Sequence, residues 1–258
     1  MITGFFDSGI GGITVLHEAM KIMPSCDYIY YADSDNTPYG TRPKDEVTAL
    51  VLSAVDFIAG YGVDAVVIAC NTATSVAIET LRSRYSIPVI GMEPAIKPAV
   101  EKNGKLHKRV LVTATPLTLK EEKLKNLISR VDNEHIVDLL PLPGLVKFAE
   151  DYRFDDADVR SYLEHELSAI DANLYSTVVL GCTHFLYYRH LLKRILPAAI
   201  DIIDGNAGTV RNLKNILEQK NIQVSGSGSV TYYTSGRLVE DKKLLDKYSN
   251  LHSMLDSQ

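Results

Sequence analysis

The chain has 258 residues, of which 46% are hydrophobic, and this suits two small α/β lobes with buried cores. A net charge of −5 without a long basic stripe argues against nucleic acid as the main partner, and no apolar run is long enough to span a membrane. Three cysteines are too few for a disulfide framework, and the amino terminus has no signal-peptide core, so we expect a cytoplasmic protein with reduced thiols.

The chain begins with a unit of strand, loop and helix. The segment ITGFF predicts a short apolar strand, DSGIGG a turn, and the residues after it an amphipathic helix. A dinucleotide fingerprint fits poorly, because Thr14 stands at the third glycine position, and the P-loop lysine is missing. DSGIGG is therefore either a helix cap with a flexible turn, or a loop whose backbone N–H groups would hold a zwitterion together with Asp7 and Ser8.

A second strand, Tyr28 to Ala32, precedes a long polar loop and a helix that begins near Pro43. Within the loop, Pro38, Tyr39 and Gly40 form a turn. Turn chemistry alone accounts for these three residues. Loops at the carboxyl ends of parallel strands also line ligand sites, so the turn is equally a candidate loop that covers a substrate.

The next stretch, Val66 to Thr74, is an apolar run that ends in Cys70 and a short polar cluster, and Val178 to Phe185 nearly repeats it around Cys182. Each run predicts a buried parallel strand, and the residues after each cysteine predict the start of a helix. Both thiols are then expected at strand carboxyl ends, where ligands bind in open α/β sheets and helix N-termini stabilise anions. The repetition predicts a site with two thiols.

A boundary between lobes is expected after the next strand, IPVIGM, because Pro94 and Pro98 interrupt the pattern and the charged segment 101–109 follows. We expect residues 1–97 and 205–258 to form the first lobe, with Cys70, and residues 98–204 to form the second, with Cys182.

The second lobe restarts with a strand, a loop with Thr113, Thr115 and Thr118, and a helix. A further strand, proline turn and helix place Glu150 near the junction of the lobes. At the end of the chain, a Gly/Ser linker leads to a strand and a short helix that would return to the first lobe. The expected fold class is α/β, with two pseudo-symmetric lobes, each a mostly parallel sheet flanked by helices, and the active site in the cleft between them.

Several chemistries use thiols. A metal centre is disfavoured, because the two cysteines lie in opposite halves of the chain and only Cys182 with His184 forms a close ligand pair. Two structural core cysteines stay open as an alternative, although core cysteines rarely need the polar residues that follow each of these. A cysteine hydrolase would leave Cys70 redundant. Two thiols on facing lobes suit proton transfer on both faces of one carbon, which inverts a stereocentre.

Such a reaction is demanding, because a proton next to a carboxylate is a very weak acid. Each thiol must work both as thiolate and as thiol, with Asp7 and His184 as auxiliary groups. The reaction needs no cofactor. Hydrogen-bond donors to the substrate carboxylate would stabilise the developing carbanion, and the candidates are Ser8, Asn71, Thr72, Thr115 and Thr183.

Five segments, in order FFDSGIGG, PYGTR, ACNTAT, VIGMEPAIKPA and VLGCTHF, resemble the glutamate racemases of the aspartate/glutamate racemase superfamily. The match covers most of the chain, although Phe185, Leu186 and Tyr187 stand where the family usually has Tyr-Pro-Leu. The resemblance implies a cofactor-independent interconversion of L- and D-glutamate that supplies D-glutamate for bacterial peptidoglycan, in a protein that is a possible homodimer. An aspartate racemase, and a non-catalytic protein that binds amino acids or regulates, stay open as alternatives.

The resemblance also implies roles for residues. Cys70 and Cys182 would be the acid/base pair, the first acting on the D-enantiomer and the second on the L-enantiomer, with Asp7, Glu150 and His184 assisting them. The substrate-binding positions that it implies are Asp7, Ser8, Tyr39, Gly40, Asn71, Thr72, Thr183 and His184. To these we add Pro38 from the same turn, and Thr115 and Thr118 from the loop of the second lobe.

Overall fold

The computed structural model describes residues 1–103 and 108–257, so part of the charged segment 101–109 lies outside the described residues. The strands are β1 (Ile2–Asp7), β2 (Asp27–Ala32), β3 (Ala65–Ile68), β4 (Val89–Gly91), β5 (Arg109–Ala114), β6 (Val137–Pro141), β7 (Tyr175–Leu180), β8 (Asp201–Asp204), β9 (Val230–Thr234) and β10 (Arg237–Leu238). The helices are α1 (Ile13–Ile22), α2 (Lys44–Ala59), α3 (Asn71–Arg84), α4 (Ile96–Asn103), α5 (Pro116–Lys120), α6 (Glu122–Val131), α7 (Pro143–Glu150), α8 (Ala157–Leu167), α9 (Arg189–Ile195), α10 (Asn206–Gln219) and α11 (Lys242–Asp256).

These strands form two sheets, with the orders β10-β9-β2-β1-β3-β4 and β6-β5-β7-β8. Every neighbouring pair is parallel except β9 with β10. Asp7 pairs with Ala32, and Phe6 with Ile68, so the carboxyl ends of the central strands lie at one edge of the first sheet. Helices connect the parallel strands, as the geometry of parallel pairs requires. The predicted α/β class with two parallel sheets is confirmed.

Apolar faces of the helices hold the sheets together. The apolar spacing of α2 predicts a buried face of Val47, Leu50, Val51, Ala54, Val55 and Ile58, and all of these are buried except Leu50, which is half-buried. One buried apolar cluster includes side chains from both sheets. The two sheets therefore share part of their core, which fixes the two strand edges relative to each other.

The structure corrects four predictions. Pro98 does not interrupt the pattern: it lies in the first turn of α4, where a missing N–H costs nothing. Thr113 belongs to β5 and Thr118 to the short helix α5, so neither lies in a loop. The segment after Cys182 is a 3₁₀ helix over residues 183–188, with five of its six side chains buried, and the α-helix α9 begins only at Arg189. The C-terminal helix α11 has 15 residues and is not short.

The last part of the chain joins the first sheet. Strand β9 pairs in parallel with β2, and α11 packs against α1. The lobe boundaries at residues 97/98 and 204/205 stay a prediction. Among the residues given above, no helix is both long enough and apolar enough to cross a membrane.

Candidate active site

The two cysteine segments meet at Asp7. This residue ends β1 and is completely buried. Its Oδ1 accepts a hydrogen bond from Gly9 N at 2.9 Å, and its Oδ2 accepts one from Thr183 Oγ1 at 3.1 Å. Because Asp7 belongs to the first sheet and Thr183 follows a strand of the second, this hydrogen bond joins the two strand edges.

Burial raises the pKa of Asp7 to about 6, against the opposing effect of a positive charge on His184. Glu150 also raises this pKa by charge repulsion. A carboxyl group with a pKa near 6 exchanges its proton close to neutral pH, as auxiliary acids and bases do.

Cys70 lies two residues beyond β3 and is the N-cap of α3, as the sequence predicts. Its Sγ accepts a hydrogen bond from Ala73 N at 3.4 Å and lies 3.7 Å from Ser8 Oγ. The helix N-terminus alone would favour a thiolate, but burial and the charges of Asp7 and Cys182 raise the pKa of Cys70 to about 12. At neutral pH this thiol is therefore protonated.

Cys182 also lies two residues beyond its strand, β7, but its surroundings differ. Its Sγ lies 3.7 Å from Nδ1 of His184, whose Nε2 lies 2.6 Å from Glu150 Oε1. Burial by itself lowers the pKa of His184, but the hydrogen bonds to Cys182 and Glu150 outweigh it and hold that pKa well above its usual value. A positive imidazolium beside Cys182 stabilises a thiolate there.

Glu150 connects this group to the other sheet. The carboxylate that faces His184 also accepts a hydrogen bond from Ile10 N at 2.9 Å. Glu150 therefore lies where the two sheets meet, as the sequence predicts. Gly9 N and Ile10 N both donate to carboxylates, so these two N–H groups of the loop are already paired; that the loop holds a zwitterion stays a prediction.

Two glycines of this loop allow the close approach. A Cβ at Gly9 would lie 1.8 Å from Glu150 Oε1, and a Cβ at Gly11 would lie 2.3 Å from Thr183 Oγ1. A side chain at either position would force the two strand edges apart.

Three buried threonine hydroxyls form a closed triangle. Thr72 Oγ1 lies 2.9 Å from Thr115 Oγ1 and 3.1 Å from Thr118 Oγ1, and the last two lie 2.9 Å apart. Thr115 also touches Gly40, where a Cβ would lie 2.4 Å from the Cβ of the threonine. The loop after β2 thus reaches the second sheet at this point.

The turn at residues 38–40 is only partly buried. Pro38 is exposed, whereas Tyr39 and Gly40 are buried. Tyr39 donates a hydrogen bond from its hydroxyl to Asp33 Oδ2 at 2.5 Å. The sequence interpretation missed Asp33, although this carboxylate follows the end of β2 just as Asp7 ends β1.

Asn71 differs from the other polar residues near Cys70. It is 5% exposed, and within residues 1–103 and 108–257 neither its Oδ1 nor its Nδ2 has a hydrogen-bond partner. A buried side-chain amide without partners is costly, and such groups commonly serve a ligand or a bound water. In the same part of the chain, no group of three metal-ligating side chains converges.

This arrangement can perform proton transfer with two unequal thiols. One sulfur lies at a helix N-terminus near Ser8, and the other lies beside the imidazole ring of His184. Carboxyl groups border both, and both cysteines are more than nine-tenths buried. Such a dry, polar site suits removal of a proton by one sulfur and its return by the other.

Comparisons with known proteins agree with this chemistry. A model of the Asp/Glu/Hydantoin racemase family matches residues 14–213. A glutamate racemase of Halothermothrix orenii is 53% identical over 253 residues, covering 97% of this chain and 98% of that protein. Glutamate racemase 2 of Bacillus subtilis is 48% identical over 256 residues, covering 99% and 97%. The crystal structure of glutamate racemase from Campylobacter jejuni subsp. jejuni superposes with a TM-score of 0.79 at 28% identity, covering 98% of each chain.

Proposed function

The chain belongs to the Asp/Glu/Hydantoin racemase family, and we propose that it interconverts L- and D-glutamate by proton transfer at Cα between Cys70 and Cys182. The observation that carries this proposal is that the two cysteine segments meet at Asp7 and Ser8. Ser8 Oγ lies 3.7 Å from Cys70 Sγ, and Asp7 accepts a hydrogen bond from Thr183, the residue after Cys182.

The imidazolium of His184 beside Cys182 supports Cys182 as the base for L-glutamate. The Cys182 thiolate would remove the Cα proton of L-glutamate, and the Cys70 thiol would give its own proton to the opposite face of the carbanion. The product is D-glutamate, with Cys182 now a thiol and Cys70 a thiolate. The reverse reaction starts from that state, so protons balance over a full cycle.

Auxiliary groups would adjust the two sulfurs. His184, held by Glu150, would stabilise the Cys182 thiolate, and Asp7 would exchange a proton with the Cys70 side. Assigned in this way, Cys70, Cys182, Asp7, His184 and Glu150 form the catalytic set. The carboxylates of a bound substrate would also lie next to these groups and change their proton affinities.

The unpaired amide of Asn71 supports a role in substrate binding. We assign to the same role the polar side chains of Ser8, Thr72 and Thr183, which border the thiols. The other binding residues that we assign are Asp7, Pro38, Tyr39, Gly40, Thr115, Thr118 and His184. Since Pro38 is exposed, its contribution would be to shape the turn.

Isotope exchange tests the reaction. The protein incubated with L-glutamate in D₂O, without added cofactor, should yield D-glutamate that carries deuterium at Cα. L-Aspartate serves as the comparison substrate, and faster turnover of aspartate would overturn the assignment to glutamate. Binding of glutamate, seen as a rise in melting temperature, without any exchange would indicate a protein that binds amino acids without catalysis.

We further propose that the protein is cytoplasmic, forms a homodimer and supplies D-glutamate for bacterial peptidoglycan, and hence for cell shape. A strain that lacks its own glutamate racemase should grow without D-glutamate when it expresses this chain. Light scattering that gives the mass of a single chain would overturn the dimer.

A further inference from the structure

The loop with the proposed substrate-binding turn is held by the C-terminal hairpin of β9 and β10. Asp33 is buried and accepts hydrogen bonds from both sides. Its Oδ2 accepts the Tyr39 hydroxyl at 2.5 Å, and its Oδ1 accepts Ser235 Oγ at 3.0 Å. Ser235 lies in the turn between β9 and β10, about 200 residues away in sequence.

The contact between loop and hairpin includes more than one bond. Ser235 Oγ also accepts a hydrogen bond from Asp35 N at 3.0 Å, and Ser235 N donates to Ala32 O at 2.8 Å. The Arg237 side chain forms two hydrogen bonds to Asp35, at 2.7 and 2.9 Å. The hairpin turn therefore binds the first residues of the loop through both backbone and side-chain hydrogen bonds.

The backbone of Ser235 is unusual for a residue with a side chain. Its φ is +43°, in the left-handed region that glycine occupies more easily. A residue with a Cβ is strained in this region. The hydrogen bonds of the serine hydroxyl offset the free-energy cost of that backbone conformation.

On the other side, the loop reaches the second sheet. Tyr39 is followed by Gly40, whose backbone contacts Thr115 of the threonine triangle. Asp33 N also donates to the backbone oxygen of Asp7 at 3.0 Å. Because this bond holds the backbone of Asp33 to β1, the loss of a partner at its carboxylate would move the turn that faces the threonines and leave β1 in place.

We propose that Ser235 is a positioning residue for glutamate binding, which acts through Asp33 and Tyr39 by fixing the turn at residues 38–40 against the second sheet. The inference rests on the proposed function, because it concerns the loop that would bind the substrate. Since the loop would hold substrate and transition state alike, its displacement weakens binding more than it slows the chemical step.

The test compares Ser235→Gly with Ser229→Ala. Glycine removes the hydroxyl but accepts the left-handed backbone, so the variant loses the contact without added strain. Ser229→Ala removes a similar hydrogen bond, 2.9 Å long, from a serine to Asp27 at the other end of β9. We expect Ser235→Gly to raise the KM for glutamate about fivefold to tenfold with kcat within about twofold, because one hydrogen bond to a charged group is lost. Ser229→Ala should leave both constants unchanged.

A double-mutant cycle tests the route through Asp33. Tyr39→Phe should also raise KM, and combining it with Ser235→Gly should give less than the product of the two single effects, because both act on one carboxylate. Multiplicative effects would overturn the route. If Ser235→Gly does not fold, Ser235→Ala must still raise KM without lowering kcat.

Hydrogen exchange gives a readout that is independent of turnover. Backbone amides of residues 36–41 should exchange faster in Ser235→Gly than in the wild type or Ser229→Ala. Unchanged exchange, an unchanged KM, or a fall in kcat alone would each overturn the proposal. A wild-type protein that does not interconvert the glutamate enantiomers would instead overturn the proposed function, and exchange would then decide whether Ser235 fixes the loop.

Discussion

Glu150 accepts a hydrogen bond from the backbone N–H of Ile10, at 2.9 Å, although the two residues follow strands of different sheets. The same carboxylate oxygen lies 2.6 Å from His184 Nε2. Glu150 therefore contributes both to the contact between the two strand edges and to the charge on His184.

Replacing Glu150 tests this coupling. Glu150→Gln keeps an oxygen for Ile10 N but removes the negative charge that raises the pKa of His184. Because the state proposed for L-glutamate requires an imidazolium, the alkaline limb of the profile of kcat/KM against pH should move to lower pH, by about one unit. The exposed Glu134→Gln serves as control. An unmoved alkaline limb would contradict the role of Glu150.

The two thiols should be equally indispensable. Cys70→Ser and Cys182→Ser should each lower kcat/KM at least about a thousandfold, because a hydroxyl is a far weaker acid and base at this carbon. Since enantiomers have equal free energies, the loss in kcat/KM must be the same for L- and D-glutamate. Racemisation assayed from both enantiomers checks this. The thiol control is Cys26→Ser, because Cys26 is buried directly before β2, at the opposite end of that strand from the site. Undiminished activity in either active-site variant would rule out two thiols as the acid/base pair.

Local patterns were sufficient to predict much of the site. Apolar runs identify the strands. Polar residues at their ends then predict Asp7 and Cys70 at the edge of one sheet and Cys182 at the edge of the other, because parallel strands end together. Long-range pairing is different: the bond from Ser235 to Asp33 spans 202 residues, and no periodicity encodes it. The 3₁₀ helix after Cys182 was also missed, since its buried side chains are fixed by tertiary contacts and not by a helical pattern.

Asp7 should reduce stability at neutral pH. Its pKa is about 6 in the folded protein against 3.8 for a free side chain, so the folded state binds the proton more tightly than the unfolded state does. The free energy of unfolding therefore falls as pH rises from about 4 to about 6. Asp7→Asn, which cannot ionise, should be more stable than the wild type at pH 7.5, by up to about 3 kcal/mol at roughly 1.4 kcal/mol for each pKa unit.

The comparison needs two pH values. Thermal or urea unfolding of both proteins should show the advantage of Asp7→Asn at pH 7.5 and little difference near pH 4, where Asp7 is already protonated. The variant should also lose most of its racemase activity. An equal stability difference at both pH values would show that the effect comes from packing and not from ionisation.

The space between Gly40 and Thr115 should be too small for a methyl group at position 40. A Cβ at position 40 would lie 2.4 Å from the Cβ of Thr115, whose hydroxyl is held by two other threonines, so the loop itself must move. We expect Gly40→Ala to lower kcat/KM about a hundredfold, since small misplacements at such a site are costly. Gly208→Ala is the matched control: its Cβ meets nothing within 4 Å in helix α10, so activity should persist and the helix should gain stability. Measurements of kcat/KM and of the melting temperature for both variants test this prediction. Full activity in Gly40→Ala would show that the turn at residues 38–40 can shift without consequence for the substrate.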